Sequence, residues 1–208
     1  MAYYVGLNIF VAPNANSSND RLAQMFIGAQ DYWSQHGITL NFRWHFFLDV
    51  NPQNYWFAYT NEEYSADKID CFNPDTLKDL LPYTQEVNEW IGLFFVGGNR
   101  LADGESTGCT SYVPIVQNGE TTDFQANIVV TDEADHLLLT HEIGHALFAR
   151  IVGNNIESTA PCCPNDPTGH SNEENDLMLP IVPAIPNPIL TQEEVEKALQ
   201  SPKAFYVQ

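Results

Sequence analysis

The chain has 208 residues, of which 44% are hydrophobic and 12% aromatic, and these values are typical of a globular domain. This length is enough for one sizeable core or for two small lobes around a cleft. The 27 acidic and 8 basic residues give a formal net charge of −19. Such a charge excludes nucleic acids and anionic membranes as partners, because both require a basic surface. No apolar run is long enough to cross a bilayer.

The N-terminal part of the chain predicts two strands separated by an amphipathic helix. Residues 3–11 form an apolar, β-branched and aromatic run that is typical of a strand. A helix is predicted to begin at the cap Ser18-Asn19-Asp20 and to end near His36-Gly37, with apolar residues at helical spacing between them. Residues 38–50 alternate in polarity and predict a second strand, and the polar residues 51–70 predict a long loop.

The middle of the chain predicts a short helix at residues 75–81 and then three strands. The predicted strands are residues 90–96, 104–115 and 124–130.

The last of these strands leads into a Leu-rich helix. Its predicted N-cap is Asp132 or Thr131. We expect it to end near Arg150 or Val152, where Gly153-Asn154-Asn155 provides a left-handed C-cap.

The sequence His141-Glu142-Ile143-Gly144-His145 lies within this predicted helix. Because positions i and i+4 share one face of a helix, both imidazoles can direct a ring nitrogen at one ion. Glu142 can reach water at that ion without binding the ion itself. The motif therefore predicts a zinc site in which His141 and His145 are ligands and Glu142 is the general base. Asp135 and His136 precede it, either as hydrogen-bond partners of the ligands or as part of a solvated face.

A tetrahedral catalytic zinc needs a third protein ligand and keeps its fourth position for water. Downstream, Gly169-His170-Ser171 is followed by Leu177-Met178-Leu179-Pro180. Further on, Thr191 and Glu194 have the spacing of a capping box at the start of a helix. Together with the histidine pair, these motifs resemble the metzincin metallopeptidases, and among them the matrixins most closely.

The resemblance implies an α+β, metzincin-like (zincin) fold. It has a mixed twisted sheet, two long helices and a small irregular C-terminal subdomain that ends in a helix. It also implies that His170 completes the ligand set of one catalytic Zn²⁺, and that Met178 forms an apolar floor beneath the imidazoles. The implied activity is that of a zinc metalloendopeptidase, which hydrolyses peptide bonds in protein substrates with Glu142 as the base.

In the resembled family, the substrate binds as an extended strand along an edge strand above the metal. We place this edge around residues 107–112, and the wall of the pocket beyond the scissile bond at residues 180–182. The apolar wall predicts an apolar substrate side chain. The expected partner is a protein or peptide, and the expected state is a monomer. The candidate substrate-binding residues are Thr107, Cys109, Ser111, Tyr112, Pro180, Ile181 and Val182.

The spacing of the third histidine departs from the metzincin pattern. In that family a Gly ends the helix and a His follows after a short gap, but Phe148 and Ile151 occupy those positions here. We therefore expect an inserted loop at residues 156–168 before the chain returns at His170. Such an insertion is tolerable, because each doubling of loop length costs only about 0.6 kcal/mol.

Two alternatives remain open. Residues 172–176 superficially resemble the motif of the gluzincins, in which a Glu is the third ligand. Gly169 before this segment and the predicted methionine turn after it (Leu177-Met178-Leu179-Pro180) favour a loop. We therefore interpret Glu173, Glu174 and Asp176 as a solvated acidic loop. The second alternative is an inactive zinc-containing binding module. Glu142 argues against it, because a purely structural site needs no general base.

We expect residues 1–208 to form a single catalytic domain. Its upper subdomain is predicted at residues 1–152, with the sheet and the zinc helix. Its lower subdomain is predicted at residues 153–208, with the inserted loop, the methionine turn and the C-terminal helix. Acidic loops can bind Ca²⁺, but none has the regular ligand spacing that would predict such a site.

The cysteines bear on the inserted loop and on the cellular compartment. A disulfide from Cys162 or Cys163 to Cys109 or Cys71 would pin this loop near the active site, but the sequence does not determine the pairing and leaves free thiols as the alternative. The sequence as written carries no secretory signal. We expect a secreted or extracellular protein, whose numbering starts at an already trimmed, mature catalytic domain or which is exported by another route.

Overall fold

The computed structural model describes residues 2–12, 14–46, 65–71, 73, 76, 90–164, 166, 168–183, 185 and 187–207. Nearly all of the helix predicted at residues 75–81, and most of the loop predicted at residues 51–70, lie outside the described residues. The described end of that loop contains a short 3-10 helix at Ala66–Lys68.

The described residues form three α-helices and eight strands. In chain order they are β1 (Ala2–Val11), α1 (Asn19–Gln35), β2 (Ile38–Phe46), β3 (Ile91–Phe95), β4 (Gly108–Gln117), β5 (Glu120–Val130), α2 (His136–Phe148), β6 (Ala149–Val152), β7 (Asn155–Ser158), α3 (Gln192–Leu199) and β8 (Ala204–Val207).

Six strands form one mixed sheet in the order β2-β1-β3-β5-β4, and β8 lies antiparallel to the first half of β1. Strand β1 is parallel to β2 and β3, and β3 is parallel to β5. Strand β4 is antiparallel to β5, at the edge of the sheet. The remaining strands, β6 and β7, form a separate hairpin. This mixed α+β architecture confirms the predicted fold class.

The apolar face of α1 packs into the core as its sequence pattern predicts. Where α1 meets α2, Gly28 faces the His136 ring, and a Cβ at position 28 would lie 2.5 Å from that ring. His136 therefore belongs to the contact between the two helices. Burial of each large apolar side chain stabilises the fold by roughly 1.5–3 kcal/mol. The buried residues of α1 are Leu22, Met25, Phe26, Ala29, Tyr32 and Trp33.

Helix α2 begins later than predicted. Its N-cap is Asp135, whose carboxylate accepts a hydrogen bond from Leu138 N at 2.9 Å. The prediction of Asp132 or Thr131 as the cap is wrong, because tertiary hydrogen bonds occupy both side chains. Asp132 accepts from the backbone amides of Asn16 and Gly98, and the Thr131 hydroxyl donates to the carbonyls of Asn99 and Thr107.

The same helix ends at Phe148, earlier than predicted, and the chain turns directly into the β6–β7 hairpin. The prediction that Gly153 caps the helix is wrong, since Gly153, with φ of +64°, lies in the hairpin turn. Arg150 pairs with Glu157, and the β-branched residues Ile151 and Val152 satisfy their backbone in a β-ladder, which suits them better than a helix. The inserted segment therefore begins as a hairpin.

The C-terminal part contains one confirmed element and one that was not predicted. Helix α3 begins with the predicted capping box, in which Thr191 accepts from Glu194 N and the Glu194 carboxylate accepts from Thr191 N. After it, β8 adds to the main sheet beside β1. None of the described helices is both long and apolar enough to span a membrane.

Candidate metal centre

Two histidines of α2 form the base of the site. His141 and His145 are 3% and 7% exposed, and their Nε2 atoms lie 3.0 Å apart. His141 Nδ1 lies 2.7 Å from the Leu177 carbonyl oxygen, which can only accept a hydrogen bond. The proton of the neutral ring is therefore on Nδ1, and Nε2 presents a lone pair to the site.

The third imidazole comes from the loop after the hairpin. His170 Nε2 lies 3.3 Å from His145 Nε2, and His170 Nδ1 lies 2.8 Å from the Thr168 hydroxyl. The preceding Gly169 has a φ of +78°, and a Cβ there would lie 2.1 Å from the Ser158 carbonyl oxygen. Only glycine combines this left-handed backbone with so close an approach to β7. The close passage of the loop past the hairpin brings His170 to the helix.

The three ring nitrogens fit one metal ion. Ligand atoms of His141, His145 and His170 all lie within 4.8 Å of one another. A tetrahedral ion with Zn–N bonds of about 2.1 Å would separate its ligand nitrogens by about 3.4 Å. The observed separations of 3.0 and 3.3 Å are close to that value. Lone pairs that face each other without a donor repel, so a cation between them is the arrangement that this geometry favours.

Electrostatics keep these rings neutral, as metal ligands must be. Burial lowers the pKa of His141 to about 4, although its hydrogen bond to the Leu177 carbonyl acts in the opposite direction. Burial also lowers the pKa of His145 well below its ordinary value, and the neighbouring imidazoles add to this effect. Protons therefore do not compete for the ring nitrogens near neutral pH.

Glu142 is buried beside the histidines, with 4% of its surface exposed. Its Oε2 accepts a hydrogen bond of 2.7 Å from the Thr110 hydroxyl, on β4. Burial raises the pKa of Glu142 to about 7, and the Thr110 hydrogen bond opposes that rise. A carboxyl group with such a pKa can both take up and release a proton near neutral pH.

Met178 lies against α2 at the position of Gly144. It is fully buried, and a Cβ at position 144 would lie 2.6 Å from its Sδ atom. The turn around it is fixed by Ser171 N, which donates to the Met178 carbonyl at 2.7 Å, and by Asp176 Oδ1, which accepts from Met178 N. This turn also presents the Leu177 carbonyl to His141.

The acidic segment before this turn is only partly as predicted. Glu173 and Glu174 are exposed, and neither belongs to the three-histidine group. Asp176 is buried at 1% exposure, so its interpretation as a solvated residue is wrong. Its carboxylate accepts from the Ser171 hydroxyl as well as from Met178 N, and these bonds compensate for its burial.

Strand β4 borders the site. Thr110 and Tyr112 point towards α2, since the Tyr112 hydroxyl donates to the His145 carbonyl at 2.9 Å and Thr110 bonds Glu142. Thr110 lies within the predicted edge at residues 107–112 but is not among the named candidate residues. The two-residue period of a strand would have grouped Thr110 with Tyr112 rather than with Cys109 and Ser111.

A cleft of about 1210 Å³ contains the three histidines and Glu142. Of the residues from the segment after Met178, Ile181 is 85% exposed and Val182 is partly buried. Asp135, the cap of α2, also lines the cleft. All the candidate substrate-binding residues line it: Thr107, Cys109, Ser111, Tyr112, Pro180, Ile181 and Val182.

The structure decides the disulfide pairing that the sequence left open. Cys71 is bonded to Cys109 at the start of β4, across a Cα separation of 6.3 Å. Cys162 and Cys163 are bonded to neither of them and are free thiols in this structure. The inserted loop is therefore not pinned to β4 by a disulfide, and its hydrogen bonds include those from Lys197 Nζ, on α3, to the carbonyl and hydroxyl oxygens of Thr159. Cys162 Sγ lies 3.3 Å from the Ser171 hydroxyl.

Comparison with known proteins supports the fold. No protein-family model matches the chain, and a search of curated proteins found no match. Among solved structures, metalloproteinase-II from Bacteroides fragilis is similar, with a TM-score of 0.57 and 14% sequence identity over 95% of this chain. The chain spans about half of that protein, 52% of its length. The histidine cluster thus lies in a metallopeptidase-like fold, of the same kind as that metalloproteinase.

Proposed function

We propose that this protein is a zinc-dependent endopeptidase of the metzincin type, closest to the matrixins. The observation that carries the proposal is the convergence of three imidazole nitrogens beside the buried carboxylate of Glu142, in an open cleft. A structural zinc site fills all four positions with protein ligands. Here the described residues supply three nitrogens, and all three histidines line the cleft.

The residues of the site have separate roles in the proposed reaction. His141, His145 and His170 would hold one Zn²⁺, which supplies a Lewis acid that acidifies water and polarises a carbonyl group. Glu142 takes a proton from the attacking water and then delivers it to the departing amine. Thr110 holds the Glu142 carboxylate towards the cleft.

The proposed substrate is a protein or peptide that lies as an extended strand along β4. This strand pairs with β5 on one side, and no other described strand pairs with its second side. Main-chain hydrogen bonds at such an edge can hold an extended peptide. Residues 180–182 would then receive an apolar side chain.

The remaining parts of the proposal concern the whole protein. We propose that residues 1–208 act as one catalytic domain and that the protein is a monomer. The Cys71–Cys109 disulfide supports a secreted or extracellular site of action, because such bonds persist in oxidising compartments.

The direct test combines metal analysis with proteolysis. The purified protein is expected to bind one zinc ion per chain and to cleave casein or gelatin. Glu142→Gln should retain the zinc and lose activity by at least about 100-fold, because the base is removed and the ligands remain. Full zinc occupancy of the unmodified protein, with no cleavage of any peptide library, would instead support a binding module.

A second pair of variants tests the third ligand. His170→Ala should sharply weaken zinc retention during dialysis against a chelator. Glu173→Ala is the matched control, because Glu173 is exposed and lies outside the histidine group. The reverse result, with zinc lost only from the Glu173 variant, would favour the gluzincin type of site.

A further inference from the structure

Two adjacent cysteines lie on the loop that leads to His170, and the proposed mechanism uses neither. Cys162 Sγ and Cys163 Sγ are 2.8 Å apart. Carbon atoms in van der Waals contact lie about 3.5–4.0 Å apart, and sulfur is a larger atom, so this separation is shorter than a van der Waals contact. The two side chains therefore already point to the same side of the chain and approach closer than separate thiols require. We propose that Cys162 and Cys163 form a vicinal disulfide that braces this loop.

Adjacent cysteines are usually poor partners. Neighbouring Cα atoms are about 3.8 Å apart, whereas most disulfides join Cα atoms at 4.4–6.8 Å. A vicinal bond thus requires both side chains to be turned together before oxidation. The local turns provide this arrangement, because Cys163 N donates to the Ala160 carbonyl and Asp166 N donates to the Cys163 carbonyl.

The other cysteines leave this pair no alternative within the chain. Cys71 and Cys109 are bonded to each other, so neither is available to the loop. Their bond also indicates that the chain encounters oxidising conditions, where disulfides persist. Cys162 is exposed, so a small oxidant can reach it.

The bond forms by thiol–disulfide exchange with a small-molecule disulfide such as glutathione disulfide. The Cys162 thiolate attacks the oxidant, which releases one small thiol and leaves a mixed disulfide. The Cys163 thiolate then attacks the Cys162 sulfur and releases the second small thiol. The two protein thiols lose two protons and two electrons, and the oxidant is reduced to two thiols.

The proposed Cys162–Cys163 disulfide would lie close to the residues that position His170. In the reduced protein the Cys162 thiol donates to the Ser171 hydroxyl at 3.3 Å, and that hydroxyl donates to Asp176 Oδ2 at 2.8 Å. Oxidation removes the thiol proton, so the disulfide sulfur would touch Ser171 by packing alone. Ser171 directly follows His170. A covalent ring here removes conformations of the free loop, so less ordering is needed when His170 binds a metal.

The bond is tested by peptide mapping after equilibration with glutathione disulfide. The protein is unfolded without reductant, treated with iodoacetamide and digested with pepsin. The peptide with Cys162 and Cys163 should carry no alkyl group and be about 2 Da lighter than its reduced form. The control variant Cys162→Ser should expose Cys163 to alkylation or glutathione. Two alkylated cysteines, or a glutathione adduct, in the unmodified protein that retains its Cys71–Cys109 bond would overturn the proposal.

The bracing role is tested by zinc loss, and this part rests on the proposed function. The variant Cys162→Ser with Cys163→Ser should release zinc to a chelator faster than the oxidised unmodified protein. Equal release rates would overturn the bracing role. If the unmodified protein takes up no zinc, the metal-site proposal fails, while the peptide map still decides whether the disulfide forms.

Discussion

At the scale of single residues, Thr110 connects the edge strand to the proposed base. Its hydroxyl lies 2.7 Å from Glu142 Oε2 and 3.0 Å from the Glu142 carbonyl. A hydrogen bond to the ionised carboxylate stabilises that form and lowers its pKa, against the effect of burial. Thr110 is therefore expected to keep Glu142 both oriented and ionised.

We predict that Thr110→Val lowers kcat and moves the acid limb of the pH–rate profile upward. Loss of the donor raises the pKa of Glu142, so a higher pH is needed to form the base. Hydrogen bonds to charged groups contribute about 1.5–3 kcal/mol, which corresponds to a shift of about one pH unit or more. Thr110→Ser keeps the hydroxyl and should restore the profile. An unchanged profile for the Val variant would show that Thr110 has no such role.

Gly169 is the second residue on which the site depends. We predict that Gly169→Ala lowers the melting temperature and weakens zinc retention, because the new Cβ would collide with the Ser158 carbonyl oxygen at 2.1 Å. Gly153→Ala is the matched control. It also has a positive φ, of +64°, but a Cβ there meets nothing within 4 Å. This variant should be destabilised only by the roughly 1–2 kcal/mol that a side chain costs in the left-handed region, and it should keep its zinc. Equal effects in both variants would contradict this account.

At the scale of elements, α3 is joined to the methionine turn by buried carboxyl groups. Glu194 is fully buried and caps α3, and one of its oxygens, Oε1, has no hydrogen-bond donor among the described residues. Burial raises the pKa of Glu194 to about 7, and the neighbouring Asp176 carboxylate adds to this rise. Protonated Glu194 can donate to Asp176, which in turn holds Met178 N.

This pair predicts a pH-dependent stability. In the unfolded chain Glu194 ionises near pH 4.5, whereas in the folded chain it remains protonated up to about pH 7. The free energy of unfolding should therefore fall as pH rises from about 4.5 to 7. In this range the Glu194 carboxyl group ionises in the unfolded chain but stays protonated in the folded chain, so rising pH favours the unfolded state. Glu194→Gln should flatten this slope in thermal unfolding curves. Glu196→Gln, at an exposed position of α3, is the control and should preserve the slope.

At the scale of the whole molecule, the cleft shares the negative charge of the chain. Arg100 is the one basic side chain among the described lining residues other than histidine, and Glu133 pairs with it at 2.9 Å. The cleft should therefore attract cationic peptides and repel anionic ones. The acidic residues that line it are Asp70, Asp103, Glu105, Glu133, Asp135, Glu142, Glu157 and Asp166.

We predict that peptides flanked by Lys are cleaved with a kcat/KM about tenfold higher than otherwise identical peptides flanked by Glu. The difference should shrink as salt screens the charges. Glu105→Gln, within the cleft, should narrow the difference, and Glu120→Gln, outside it, should not. Equal rates for both peptides at low salt would refute the charge preference.

The sequence by itself determined the elements whose signals are local. The helix pair His141 and His145 follows from the period of an α-helix, and the capping box of α3 follows from a three-residue spacing. The apolar run of β1, the alternation of β2 and the apolar face of α1 likewise depend on neighbours along the chain. The approach of His170 was inferred by resemblance and not from a local pattern.

Only the tertiary structure decided which distant groups meet. Asp132 has the chemistry of a helix cap, yet contacts with other loops occupy it and Asp135 caps α2 instead. Cys71 lies far from Cys109 in sequence, and no spacing rule selects that pairing. Thr110 reaches Glu142 only because β4 crosses the helix at that point. Contacts of this kind depend on the packing of whole elements, which a pattern of neighbouring residues does not contain.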